Sequence, residues 1–127
     1  MNKYQVQIAF EYNEDDMIDI ISSAVYAIGY WAVIDNTTDD WERTSLSLPS
    51  DSCFEDVMWS LLKTGNQIII EDAEDDDGPW ELTLEKLRDG IRLTIQNGHW
   101  TGKMDDIDGF VGDCIFQYAL FGELVYG

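Results

Sequence analysis

Residues 3–29, KYQVQIAFEYNEDDMIDIISSAVYAIG, change hydrophobic period once, and that change decides the fold class. From 3 to 12 the apolar positions alternate: Tyr4, Val6, Ile8, Phe10 and Tyr12 share one face, with Lys3, Gln5, Gln7, Ala9 and Glu11 on the other. A period of two predicts a half-buried strand. From Asn13 the period becomes helical, with Met17, Ile18, Ile21, Ala24, Val25 and Ile28 as the buried stripe. Asn13 is a cap, Glu14, Asp15 and Asp16 sit at the positive end of the helix dipole, and Gly29 ends the helix.

Further along, YWAVID (30–35) reads as a short strand, NTTDD as a turn, and Trp41–Leu48 as a second strand. Ser52 with Glu55 forms a capping box for a second helix, on which Phe54, Val57, Met58, Leu61 and Leu62 face inward before Gly65. Residues 67–72 form a buried strand on three isoleucines, and PWELT (79–83) returns beside it. Thr83 caps a third helix, with Leu84, Leu87, Ile91 and Ile95 inward, ending at Asn97-Gly98. A fourth helix is predicted over 106–121, apolar around most of its circumference through Ile107, Phe110, Val111, Cys114, Ile115, Tyr118, Ala119 and Phe121. Gly122 breaks it, and ELVYG follows as a terminal strand or a docked tail. The expected fold is α+β: one domain over 1–127, a small, mainly antiparallel sheet with about four packed helices.

The 127 residues include 26 Asp+Glu against seven Lys+Arg, a formal net charge of −19, while 45% are hydrophobic. The apolar content is enough for a folded core, and the charge far exceeds the magnitude of about 2 to 8 that keeps a small domain soluble. Such a field opposes direct binding to nucleic acid or an anionic membrane and steers in basic partners. Cys53 and Cys114 belong to no metal-ligand or redox spacing and read as reduced core thiols. No apolar run approaches the 18 or so residues that span a bilayer, and MNKYQVQIAF lacks the build of a signal peptide, so the expected compartment is the cytoplasm.

The acidic clusters fail the EF-hand template. Aligning on Gly78 puts Ala73 and Leu84 at the first and last ligand positions, and aligning on Gly109 puts Met104 and Ile115 there. No phosphate-binding, zinc-protease or nucleophile-elbow motif is present. His99, the one histidine, follows a helix end, where bonding to terminal carbonyls is a commoner role than general base. These readings predict a non-enzyme with no cofactor and no dedicated metal site, only weak divalent-ion binding by neighbouring acids.

The candidate partner-binding residues are therefore the charge clusters: Glu14, Asp15 and Asp16; Asp39 and Asp40; Glu71, Asp72, Glu74, Asp75, Asp76 and Asp77; and Asp105, Asp106 and Asp108. Trp80 joins them as an aromatic anchor, since Trp ringed by polar groups often carries interface energy. Trp41 and Trp100 also stand beside acids, although folding over the core edge is the commoner role.

LTLEKLRDGIRLTIQNG (82–98), an acidic stretch, then GDCIFQYALFGELVYG (112–127), together with GYWAVI near position 30, form a pattern that resembles small acidic proteins of phages and mobile elements of Gram-positive bacteria. The resemblance is strongest at 82–90 and 117–127 and has no counterpart between Trp41 and Ser52. It implies an anti-defence inhibitor of the anti-CRISPR or anti-restriction kind, whose partner is a basic, DNA-binding host complex such as a CRISPR effector and whose carboxylates substitute for phosphates. Two other readings stand beside it. One is an acidic domain acting through an apolar surface such as FGELVYG or by self-association; the other is a module regulated by a weakly bound divalent cation.

Overall fold

Four of the five helices begin on a side-chain oxygen that accepts from an otherwise unpaired N–H of the first turn. Asn13 accepts from the Asp16 N–H at 2.8 Å, and the Asp16 carboxylate returns a bond to the Asn13 N–H at 3.2 Å. Thr38, Thr83 and Asp108 cap in the same way. The computed structural model describes residues 3–127. Its helices are α1 (Glu14–Val25), α2 (Asp39–Ser47), α3 (Phe54–Lys63), α4 (Leu84–Gln96) and α5 (Gly109–Phe121). Its strands are β1 (Ala32–Ile34), β2 (Ile68–Asp72) and β3 (Trp80–Leu82), an antiparallel sheet in that order. Ala32 pairs with Asp72, Ile34 and Trp80 both pair with Ile70, and Ile68 pairs with Leu82. The α+β class is as the period changes indicate.

The strand read over 3–12 is not in the sheet. Among the described residues no strand pairs with them, and Tyr4, Val6 and Ile8 are 87%, 83% and 75% exposed. The far end of the segment is held elsewhere: the Tyr12 hydroxyl donates to the Gly102 carbonyl at 2.7 Å, and its ring stacks on Trp100. Alternation states which side chains share a face, but it does not supply the layer that covers them.

Residues 41–47 belong to helix α2, where a strand was expected over 41–48. Thr38 accepts from the Trp41 N–H, and Asp39, Asp40 and Glu42 fill the dipole-favoured first turn. These end effects outweigh the β preference of Trp and Thr, and only Trp41 is buried, packed on Phe54 with ring centroids 4.6 Å apart. Helix α3 starts one residue later than the Ser52–Glu55 pair implies, because the Asp56 carboxylate accepts the Cys53 N–H at 2.7 Å. Cys53 is thus an exposed residue at a helix start and not a core thiol, whereas Cys114 is buried, which pushes its thiol up to about 11. Helix α5 starts at Gly109 instead of 106, and Phe110, expected inside, is 62% exposed.

Helix α5 is the centre of the molecule. Val111, Gly112, Cys114 and every residue from Ile115 to Ala119 are buried, so it meets other elements nearly all round. It packs mainly between α1 and α4 and also touches β3. The contacts are close because glycines make them. A methyl on Gly112 would stand 2.5 Å from the Ala24 amide nitrogen of α1, and one on Gly90 of α4 would collide with the Ile115 carbonyl.

Gly112→Ala is therefore expected to lower stability by about 1–3 kcal/mol in urea unfolding, the usual cost of overpacking. Gly29→Ala, with open space around the new methyl, should change it by less than about 0.5 kcal/mol.

Candidate functional site

The β2–β3 hairpin carries the densest charge, and one of its acids organises the rest. Asp72, last in β2 and 9% exposed, accepts the Glu74 N–H at 2.9 Å on one carboxylate oxygen and the Asp77 N–H at 3.0 Å on the other. The Asp75 N–H donates to the Asp72 carbonyl, and Asp75 takes a positive φ of 63°, which Asp tolerates better than most residues. Asp72 is thus the internal fastener of the loop and not a presented charge. Glu71, Glu74, Asp75, Asp76 and Asp77 are exposed.

The loop is tied to the core through Trp31, whose carbonyl accepts the Ala73 N–H at 2.9 Å. The Trp31 indole donates to Asp113 of α5 at 2.8 Å, and the Tyr30 hydroxyl and the Gln117 amide donate to the same carboxylate. Gln117, 2% exposed, then binds the chain end: its oxygen accepts the N–H groups of Val125 and Tyr126, and its nitrogen donates to the Tyr126 carbonyl. The 123–127 segment is accordingly a docked tail. Tyr126 stacks on Trp31 with centroids 5.0 Å apart. Its phenol is pushed up by burial and by Asp72, Asp77, Glu74 and Asp76, so the tail end lies in the field of the loop.

Trp80 is not a free anchor. It is half-buried, edge-on to both Trp31 and Phe121, and forms the base of the hairpin. Trp41 and Trp100 are 7% and 5% exposed and belong to the core.

The other nominated acids divide by place. Asp105, Asp106 and Asp108 are exposed at the start of α5; Asp106 accepts from Thr101, and Asp108 caps the helix. Asp108 lies five residues before Asp113, about 7–8 Å along the axis, so this cluster and the hairpin loop meet the core on the same segment, 27–31: Gly109 abuts Ala27, and Trp31 holds Ala73. Glu14–Asp16 begin α1, whose twelve residues put them about 18 Å from its other end. There Glu14 accepts from Lys63 at 3.2 Å and from Trp59 at 3.3 Å, which lowers its pKa. Asp39 and Asp40 follow β1 on the side away from the loop, and Asp40 pairs with Arg43. The structure therefore ties the 71–77 loop to Trp31 and sets Gly109, next to the 105–108 cluster, against Ala27, while 14–16 and 39–40 lie at the far ends of α1 and β1.

Sequence reasoning passed over Asp113 and Gln117 as site-forming residues. Their signal was present: two polar residues four apart in an otherwise apolar helix require buried partners. Among the described residues no group of three or more His, Cys, Asp or Glu is placed to hold a metal ion, and none of the helices is long and apolar enough to cross a membrane. Comparison of the chain with family models, curated proteins and solved structures finds no match.

Asp72→Ala should cost about 1–3 kcal/mol, since two N–H groups lose their acceptor, and should speed amide exchange at Glu74 and Asp77. A second expectation concerns alkaline pH. Burial and the Asp113 carboxylate push the Tyr30 phenol up to about 12 from 10.0, and burial does the same for Tyr12. The folded state then holds protons that the unfolded chain releases, so this stabilisation is complete below pH 10 and is lost as pH rises through about 12. Tyr30→Phe should flatten the fall in stability over that window in pH-dependent thermal melts.

Proposed function

We propose that this chain is a non-enzymatic inhibitor, made by a phage or other mobile element and acting in the host cytoplasm. It occupies the nucleic-acid cleft of a basic defence complex, such as a CRISPR effector. The observation that carries this reading is the fastened hairpin: one buried carboxylate, Asp72, fixes the backbone from which Glu71, Glu74, Asp75, Asp76 and Asp77 face solvent.

A cleft built to neutralise phosphates spaced about 3.4 Å per strand also attracts carboxylates presented from an ordered backbone. A disordered acidic tail has the same charge but loses chain entropy on binding, whereas a fixed loop has that ordering cost already met by folding. The 71–77 loop and the 105–108 cluster form the contact face of this proposal. Glu14 and Asp40, each paired with a base on the far side, serve the fold. The acids also explain why duplex DNA is a competitor and not a ligand.

The test is binding to a basic DNA-binding effector across a salt series. Affinity should fall by roughly tenfold or more between 50 and 300 mM salt, and duplex DNA should displace the protein. Neutralising Glu74, Asp75, Asp76 and Asp77 to their amides should weaken binding by a further order of magnitude while leaving the melting temperature equal or higher. Salt-insensitive binding, or binding unaffected by the four substitutions, contradicts the proposal.

A further inference from the structure

Residues 3–11 have the sequence of a strand and, among the described residues, no strand that pairs with them. Tyr4, Val6 and Ile8 stand in solvent outside any helix or strand, although alternating β-branched and aromatic side chains favour a covered sheet face. An unpaired strand of this kind exposes a full row of N–H and C=O groups and is a template for another chain.

We propose that this segment pairs antiparallel with the same segment of a second copy, about a two-fold axis at Gln7. In that register residue i faces residue 14 − i of the other copy. Lys3 then faces Glu11 at both ends, Gln5 faces Ala9, and Gln7 faces itself. On the opposite side Tyr4 faces Phe10 and Val6 faces Ile8. Moving the axis to Val6 sets Lys3 against Ala9, and moving it to Ile8 sets Lys3 against Asn13, so only the Gln7 axis matches both charges and both apolar pairs. Opposite charges directly across a ladder favour the register, and like charges oppose it.

A two-stranded ribbon alone is marginal in water and needs a layer beneath it. The fold supplies one. Ile8 and Phe10 line an open groove of about 1090 Å³ floored by Leu84, Ile91 and Ile95 of α4, with Trp59 at its side. The other copy's Val6 and Tyr4, beside Ile8 and Phe10 on the same face, enter that groove, and the symmetry fills the second groove in the same way. Charge selects this sector too. In a chain of net −19, residues 3–13 hold one Lys and one Glu, and the adjoining groove sets Arg88 and Arg92 against Glu85 and Asp89, so the surfaces that meet here are close to neutral.

Sedimentation equilibrium at tens of micromolar protein in about 0.15 M salt, where the Debye length is about 8 Å, should give a dimer, twice the 14.5 kDa chain mass. Ile8→Asp should give a monomer that keeps the native circular-dichroism spectrum, because Ile8 is outside the core. Lys3→Glu or Glu11→Lys alone should each weaken the dimer by roughly tenfold, and the two together should restore it. In a Cys53→Ser background, mild oxidation should cross-link Gln7→Cys to itself and leave Gln5→Cys uncross-linked. A chain that stays monomeric throughout, a dimer that survives Ile8→Asp, or equal cross-linking at positions 5 and 7 overturns the proposal.

Discussion

The structure depends on a helix that is buried on nearly every side yet carries two strongly polar residues. In α5 the apolar surface is covered by α1, α4 and β3, and the approach is close because Gly112 and Gly90 leave room for neighbouring backbone. A half-buried carboxylate and a buried amide would each be costly to leave without partners. Asp113 and Gln117 are therefore obliged to collect Tyr30, Trp31 and the chain end, and every donor and acceptor of the pair finds a use. Among the described residues no buried side-chain polar atom is left without a hydrogen bond.

The charge is arranged around that centre. A net −19 would oppose compaction if the acids were placed at random, but here the first turns of α1, α2 and α3 each hold two or more of them, where the helix dipole favours negative charge. Several act as fasteners: Asp16, Asp56 and Asp108 at helix starts, Asp35 on Thr37, and Asp72 within the hairpin. Of the acids that remain, the densest run is at the hairpin loop. There the chain α5–Asp113–Trp31–Ala73 transmits the order of the core to the acids, which is why they form a shaped surface and not a diffuse cloud.

Much of this was legible in the sequence, and the failures share a cause. Helix α4 was read at both ends because Thr83, the Leu84–Leu87–Ile91–Ile95 stripe and Asn97-Gly98 agree with one another locally. The β2–β3 hairpin was read from its isoleucines and its turn. The 3–12 segment and α2 were misread because each depends on something outside the segment: a pairing strand that the described residues do not supply, and a single tryptophan that packs on Phe54. Asp72 and Trp80 were nominated for contact because sequence gives charge and ring but not direction, and both turn inward. The tie from Asp113 to Tyr30 and Trp31 links residues up to 83 positions apart, a distance over which periodicity carries no information.

The central claim is that the acids of 73–77 stand on a backbone as ordered as the core. Amide ¹⁵N relaxation of the free protein measures this directly. The account predicts order parameters for Glu74 and Asp77 close to those of α5, about 0.8 or higher. Values below about 0.6 across the loop would mean that Asp72 and Trp31 do not hold it, and would contradict the account.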